Sequence, residues 1–375
     1  MKVEFYRHNI GQAEKDQVLA AMDSLFLTTG EITYKFERNL AKYLGISSSV
    51  GLMSCTAALH LALLAFNIGP GDEVITTPLT FIASANAVLH AGAKPVFVDV
   101  EPTTGNLDAN LVEAAITPRT KAILPVHLYG HMCDMKALRA IADKHNLKII
   151  EDAAHCLEGV RDGFRPGQLG DAACFSFYAT KSITCGEGGA IGFKDENLVD
   201  LLKQLSLHGM SRSAADRYHG KYQHYDMEIL GWKYNLSNIQ AAMLIPQLEQ
   251  VEEHLARREA ICQRYEEAFS KLANVDFPIV LPETKSARHL FTIWVDPNQR
   301  DEKLAQIQST GVNVAVNYRA LHLLKFYRNE FGFKPGSFPV AEKIGNSTIS
   351  LPLYSKLTDQ EVDYVIESVR KICSH

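Results

Sequence analysis

Nowhere in the 375 residues is there a run of about 18 apolar side chains, so a membrane-crossing helix is not expected. The mixed, polar stretch from Met1 to Ile10 lacks the apolar centre of a signal peptide. Positive charge is not in excess. Lys and Arg number 38 against 43 Asp and Glu, and the net charge of −5 removes any global electrostatic case for nucleic acid or an anionic membrane as partner. A local basic pocket for a phosphorylated small molecule is still compatible with that balance. Cysteine pairs of the CxxC kind are missing. The seven cysteines (Cys55, Cys133, Cys156, Cys174, Cys185, Cys262 and Cys373) read as reduced, mostly buried residues of a cytoplasmic enzyme. Glycine-rich nucleotide fingerprints are missing too: Gly186-Glu187-Gly188-Gly189 has neither P-loop nor dinucleotide spacing, which counts against a nicotinamide-dependent oxidoreductase. His127, His131, Cys133 and Asp134 form the one cluster that invites a metal reading, but they lack the rhythm of zinc ligands, so no metal is expected. Repeats and low-complexity tracts are also lacking.

What is present is an ordinary globular composition, 46% hydrophobic and 22% charged, in a chain too long for one typical domain. Helical periodicity covers 14–26 and 34–44, with Gly45 as a stop. Short apolar runs then alternate with helical stretches, the pattern of βα units around a largely parallel sheet. The spacing predicts strands at 49–53, 73–77, 95–99, 121–126, 148–151, 173–177 and 189–193. Helices are expected at 56–66, 82–90, 108–116, 134–145 and 195–207. From Gly209 to Tyr234 the sequence is rich in Tyr, His, Arg and Gly and has no period, as in a functional or interface loop. A long helical segment follows over 238–271, with Pro246 as its kink point. A smaller α+β unit then has a strand near 289–295 and helices near 299–310 and 359–372.

Three stretches carry chemistry. In Ile149-Ile150-Glu151-Asp152-Ala153-Ala154-His155 an apolar strand delivers two carboxylates at its C-terminal end, where open α/β sheets place ligands. Alternation sends Glu151 and Asp152 to opposite sides, one toward a ligand and one toward the scaffold, although polar strand ends are also common without function. In Phe175-Ser176-Phe177-Tyr178-Ala179-Thr180-Lys181-Ser182 a strand runs into a loop presenting hydroxyls and an amine. Most lysines are plain surface residues. One held in a cleft loses its proton near neutral pH and forms Schiff bases, and Ser176 is placed to hold a phosphate. Ser54-Cys55-Thr56 opens a helix whose first-turn N–H groups and dipole suit an anion, or serves merely as a cap. Together the pieces match pyridoxal phosphate, which needs a lysine, a carboxylate facing its ring nitrogen and a phosphate cradle. Phe81 is a candidate cover for the flat ring, or else a core residue.

These landmarks resemble the DegT/DnrJ family of pyridoxal-phosphate-dependent nucleotide-sugar aminotransferases. The resemblance runs through S-x-T-A-A-L at 54–59, GPGDEVITTPLTFIASANA at 69–87, PVFVDV at 95–100 and TKAILPVHLYG at 120–130. It continues through EDAAH at 151–155, FSFYATKSIT at 175–184, GEGGA at 186–190, KYNLSNIQAA at 233–242, HLFTIWVD at 289–296 and SLPLY at 350–354. It implies an α/β, fold-type-I enzyme. A large domain over 1–245 would hold a mostly parallel seven-stranded sheet flanked by helices, and a smaller α+β domain would cover 246–375. By the same resemblance Lys181 forms the Schiff base with the cofactor and Asp152 faces the ring nitrogen. Ser176 and the amides of Cys55 and Thr56 bind the phosphate, and His155 sits beside the ring hydroxyl. Asn235 would reach across a homodimer to the neighbour's cofactor. Cys55 stands where the family usually has glycine, and Tyr178 where it often has histidine, which leaves the role of Tyr178 open between cofactor and substrate.

The C-terminal half looks most like the branch making UDP-4-amino-4-deoxy-arabinose, through Asn317-Tyr318-Arg319-Ala320-Leu321-His322 and Lys325-Phe326-Tyr327-Arg328. That likeness implies Arg319 on a pyrophosphate and His322 on the sugar, with a solvated helix and a capping contact as the plainer alternatives. The expected reaction moves an amino group from glutamate to a 4-keto, UDP-linked sugar in bacterial glycan biosynthesis. A regulatory cofactor-binding protein of the same fold is the main rival. The family's dehydratase branch has a histidine at the place of Lys181, which argues against it here.

Overall fold

The computed structural model describes residues 1–211 and 224–374. The centre of the fold is a seven-stranded sheet in the order β1 (Ser48–Leu52), β8 (Gly189–Phe193), β7 (Ala172–Ser176), β5 (Lys148–Asp152), β4 (Thr120–Leu124), β2 (Glu73–Thr76) and β3 (Lys94–Phe97). Neighbours are parallel except β8, which runs antiparallel to both β1 and β7. This is the expected α/β, mostly parallel seven-stranded sheet with flanking helices. Its strands lie within two residues of the sequence-based bounds because both faces are covered, so they read as continuous apolar runs.

The helices follow from their own sequences. α1 (Gln12–Met22) starts earlier than the expected 14–26 because Glu14 reaches back to the Gly11 N–H at 2.6 Å, and it stops at Asp23. α2 (Glu31–Leu44) buries Phe36, Leu40 and Leu44, and ends at Gly45 in the left-handed region (φ 68°), a conformation that favours glycine. α3 (Cys55–Ala65) is buried almost all round, between the sheet and α4 (Ile82–His90). α5 (Ala109–Val112), α6 (Met135–His145) and α7 (Leu198–Ser206) complete the βα run. The aperiodic segment 209–234 carries only isolated bridges in its described parts, such as Met210 to Met227; residues 212–223 lie outside the described ones.

The helical stretch after Asn238 is two helices, α8 (Asn238–Glu249) and α9 (Val251–Phe269). Pro246 sits inside α8, and the break comes at Gln250 (φ −104°, ψ 5°), not at the proline as expected. The C-terminal part adds β10 (Phe291–Trp294) paired antiparallel with β11 (Thr348–Leu351), and a two-residue pair joins β6 (Val160–Arg161) to β9 (Thr284–Lys285). α10 (Arg300–Ser309), α12 (Pro339–Ser347) and α13 (Asp359–Cys373) pack around β10 and β11, whereas α11 (Lys325–Phe331) lies against the main-sheet region, its Tyr327 packed with Ala85 and Phe97 and donating to Asn86 Oδ1 at 2.7 Å. α11 and α12 were not expected, although Pro339 in the first turn is a standard start signal. A second apolar core forms here from Ile261, Tyr265, Phe291, Ile349, Val362 and their neighbours, joined by Val3 from the chain start. Arg258 of α9 ties the two regions together through a buried ion pair with Glu158 at 2.6 Å. All seven cysteines are free and buried, and among the described residues no helix is long and apolar enough to cross a membrane.

Candidate active site

A cleft of about 560 Å³ opens at the C-terminal ends of the parallel strands. β5 supplies its acid. Asp152, the last residue of the strand, lines the cleft, whereas its neighbour Glu151 points the other way into the protein. Glu151 is fully buried, sits 2.7 Å from His127 Nε2, and accepts from the Gly167 and Gly170 amides at 2.9 Å each. The alternation anticipated from the sequence is therefore a division of labour between ligand face and scaffold. It also disposes of the metal cluster. His127 is taken by Glu151 and by the Cys133 N–H, the Cys133 thiol reaches Val126 O, and Asp134 caps α6 through Ala137 N. Burial pushes the fourth member, His131, down to about 3, beside Arg288.

The loop after β7 supplies the amine. Lys181 N–H bonds Tyr178 O at 2.9 Å, closing a turn that brings Ser176, Tyr178, Thr180 and Lys181 to the cleft wall. Burial lowers the Lys181 ammonium from 10.5 to about 8, against the opposing pull of Cys55 and Asp152. About one amine in ten is then neutral at pH 7, against fewer than one in a thousand for an ordinary lysine.

The start of α3 supplies an anion cradle. Ser54 Oγ accepts from Ala57 N at 3.1 Å and Ser54 O from Ala58 N, which leaves the amides of Cys55 and Thr56 unspent among the described residues. Gly189 runs directly beneath: a Cβ there would lie 2.3 Å from the Ser54 carbonyl carbon and 2.5 Å from Cys55 N. Only glycine permits that approach. The Cys55 side chain turns away from the cradle toward Asp152, so its presence in a glycine place leaves the amides accessible.

Phe81, the residue capping α4, is 51% exposed in the monomer yet lines the cleft, its ring 5.7 Å from that of Tyr318. Tyr178 is similarly placed at 47% exposure. The His155 ring lies tilted against His289 at 4.3 Å, and its Nε2 lies 3.1 Å from the Tyr318 hydroxyl. Burial, then Lys181, then His289 hold the His155 imidazole well below its usual range, so it is neutral. Tyr318 and His289 lie in the motifs at 317–322 and 289–296 without a local signal that points to a cleft; only folding places them here. Phe5 and Tyr6 also line the cleft, without any local signal.

Three expected residues lie elsewhere. His322 is fully buried, outside the cleft lining, 2.8 Å from Glu342 Oε1 and edge-on to Phe338 at 4.9 Å, which favours the plainer alternative, a core histidine with a carboxylate partner, over contact with the sugar. Arg319 is exposed and outside the cleft lining. Asn235 bonds Thr29 Oγ1 at 2.8 Å and Lys233, on a bridge to Leu52, also outside this cleft.

The arrangement offers a reactive amine, an acid on the strand beside it, unspent helix amides and an aromatic cover. That set suits a flat, phosphorylated, aldehyde-bearing ring such as pyridoxal phosphate. Comparison with known proteins agrees. The profile of the DegT/DnrJ/EryC1/StrS aminotransferase family matches residues 8–370. The spore coat polysaccharide biosynthesis protein SpsC of Bacillus subtilis is 42% identical over 97% of this chain and 95% of its own length. GDP-perosamine synthase of Caulobacter vibrioides is 39% identical over 96% and 95%. Among solved structures, Spr1654 of Streptococcus pneumoniae, assigned as a sugar aminotransferase and seen in its PMP form, superposes with a TM-score of 0.94 at 32% identity, over 99% of both chains. The chain belongs to the DegT/DnrJ/EryC1/StrS aminotransferase family, the pyridoxal-phosphate-dependent sugar aminotransferases that its motifs resemble.

Proposed function

We propose that this enzyme moves the amino group of glutamate to the 4-keto carbon of a nucleotide-linked sugar, UDP-linked in the first instance, for glycan biosynthesis. Bound pyridoxal phosphate supplies an aldehyde and an electron-accepting ring, which together allow an amine to be exchanged for a keto oxygen. The rest falls to the protein. Lys181 would hold the cofactor through its aldehyde, and its free Nζ would carry a proton to and from the reacting carbons. Asp152 holds a proton at the ring nitrogen. The Cys55 and Thr56 amides and Ser176 bind the phosphate, Phe81 covers the ring, and neutral His155 meets the ring hydroxyl. Tyr178 borders the same space and contacts cofactor or substrate. The observation that carries this reading is Asp152 and a depressed-pKa Lys181 on one cleft with two unspent amides.

The glycan setting is supported by the names of the relatives. SpsC serves a spore coat polysaccharide, and GDP-perosamine is itself a nucleotide-linked amino sugar. Arg319, exposed and without a partner among the described residues, is free to meet a pyrophosphate. Asn235 is assigned to the neighbour's cofactor in a homodimer. The exposed Leu25 and Leu27 (72% and 48%), just before the Thr28 and Thr29 that Asn235 touches, support a partner surface there. Two domains, 1–245 and 246–375, are supported by an apolar core that, apart from Val3, draws only on the C-terminal part. The large-domain core reaches Val251 and the second begins at Ile261, while Ala320, Leu321, Leu323 and Tyr327 pack with Leu79, Ala85, Phe97 and Tyr129 across the division.

The test is to supply UDP-, GDP- and dTDP-4-keto sugars with glutamate and follow 2-oxoglutarate release. Turnover with a UDP sugar is expected. Glutamate that leaves the cofactor spectrum unchanged would favour the regulatory rival, and turnover confined to another nucleotide would replace UDP. Light scattering alongside activity tests the dimer, since a fully active monomer is incompatible with a shared site.

A further inference from the structure

The carboxylate of Asp152 makes more contacts than cofactor binding requires. Its Oδ2 accepts from Ser84 Oγ at 2.7 Å and its Oδ1 from Ala154 N at 3.1 Å, while the Cys55 thiol lies 3.9 Å from Oδ1. Ser84 is fully buried in the first turn of α4, and its Oγ lies 2.9 Å from Thr80 Oγ1. A serine hydroxyl carries one proton. With that proton directed to Asp152, Ser84 Oγ is left as acceptor for Thr80, so the chain of donors runs from Thr80 through Ser84 to Asp152. Such a chain polarises each bond in turn and fixes the carboxylate rotamer at its end. Both Asp152 oxygens act as acceptors here. The same helix start carries Phe81, so one turn of backbone sets both the ring cover and the orientation of the acid.

We propose that Ser84 is a positioning residue for the transamination, holding Asp152 in the rotamer that faces the ring nitrogen of the bound cofactor. This rests on the reading of Asp152 given above. The thiol of Cys55 adds a weaker contact on the opposite oxygen, one that a glycine at this position would lack.

The experiment compares wild type, Ser84→Ala and Ser84→Thr as holoenzymes carrying cofactor labelled with 15N in the ring. In Ser84→Ala, kcat is expected to fall about tenfold with KM for the amino donor held within about twofold, since the lost bond is to a charged group outside the donor's reach. The ring 15N resonance should move toward its unprotonated position, and Ser84→Thr, which keeps the hydroxyl, should restore both. A merely structural serine would shift the unfolding midpoint but not the ring signal. If Ser84→Ala does not fold, Ser84→Thr and Ser84→Cys carry the test, and the ring signal must rank wild type, Thr, then Cys. An unmoved ring signal and kcat in folded Ser84→Ala overturns the role of Ser84 alone. Unchanged signal and turnover in Asp152→Asn overturns the reading beneath it as well.

Discussion

Glu151 and Asp152 are adjacent on one strand, yet they face opposite environments. Glu151 is sealed against His127 at 2.7 Å, and Asp152 lines the cleft with Ser84 at 2.7 Å. Strand alternation places them so, and the two sites should therefore fail in different ways. Glu151→Ala leaves a buried imidazole and two glycine amides without their acceptor, and is expected to cost about 2–4 kcal/mol in urea unfolding. Asp152→Asn should stay within about 1 kcal/mol of wild type in the same measurement while losing about a hundredfold or more in kcat. Equal stability losses in the two variants would contradict this division.

The depressed pKa of Lys181 has a kinetic consequence. The neutral amine is the form that attacks an aldehyde, and burial brings its midpoint to about 8. The rate at which cofactor-free enzyme captures added pyridoxal phosphate should rise about tenfold per pH unit below that midpoint and level off above it. Because the folded pKa lies below the unfolded one, the folded state binds fewer protons between pH 8 and 10.5, and this lysine contributes stability that increases across that window. Lys181→Ala should keep the fold and lose the absorbance band of lysine-bound cofactor together with turnover. A capture rate that keeps climbing to pH 10 would mean that the lysine is not desolvated.

Gly189 is a steric requirement of the anion cradle. In Gly189→Ala the new methyl meets the Ser54 carbonyl carbon and the Cys55 amide well inside contact distance, and backbone must move. The dissociation constant for pyridoxal phosphate, measured by fluorescence titration, should rise about tenfold or more, because the displaced amides no longer converge on the phosphate. An unchanged constant would place the phosphate elsewhere.

His322 and Arg319 separate packing from binding. His322→Ala removes a buried ring paired with Glu342 and packed edge-on against Phe338, so a loss of about 2–4 kcal/mol in stability is expected with KM for the sugar unchanged. Arg319→Ala, at an exposed position, should leave stability within about 0.5 kcal/mol and raise KM for the nucleotide sugar several-fold. A raised KM in a stable His322→Ala would reinstate it as a substrate contact.

Much of this protein was legible in its primary structure because the signals are local. Apolar runs closed by polar ends marked all seven strands of the main sheet, Gly45 marked a helix end, and alternation separated Glu151 from Asp152. Ser54 before a helical run marked a cap, and the structure shows that cap beneath the cleft. Weaker readings also had local causes. The break expected at Pro246 falls at Gln250, because a helix already packed against α1 and α2 accommodates the missing donor.

What the tertiary structure alone decided are contacts between distant segments. Ser84 meets Asp152 across 68 positions, and Tyr318 meets His155 across 163. Gly189 slides under Ser54, and His322 finds Glu342 inside a core that no periodicity announces. Periodicity reports which face of an element is apolar, but not which polar groups another element brings to that face. Sequence by itself therefore determined the sheet, the acid and the amine. Packing determined which side chains orient that acid, which histidine stays out of the cleft, and why the amine sheds its proton near neutrality, since desolvation depends on everything folded around it.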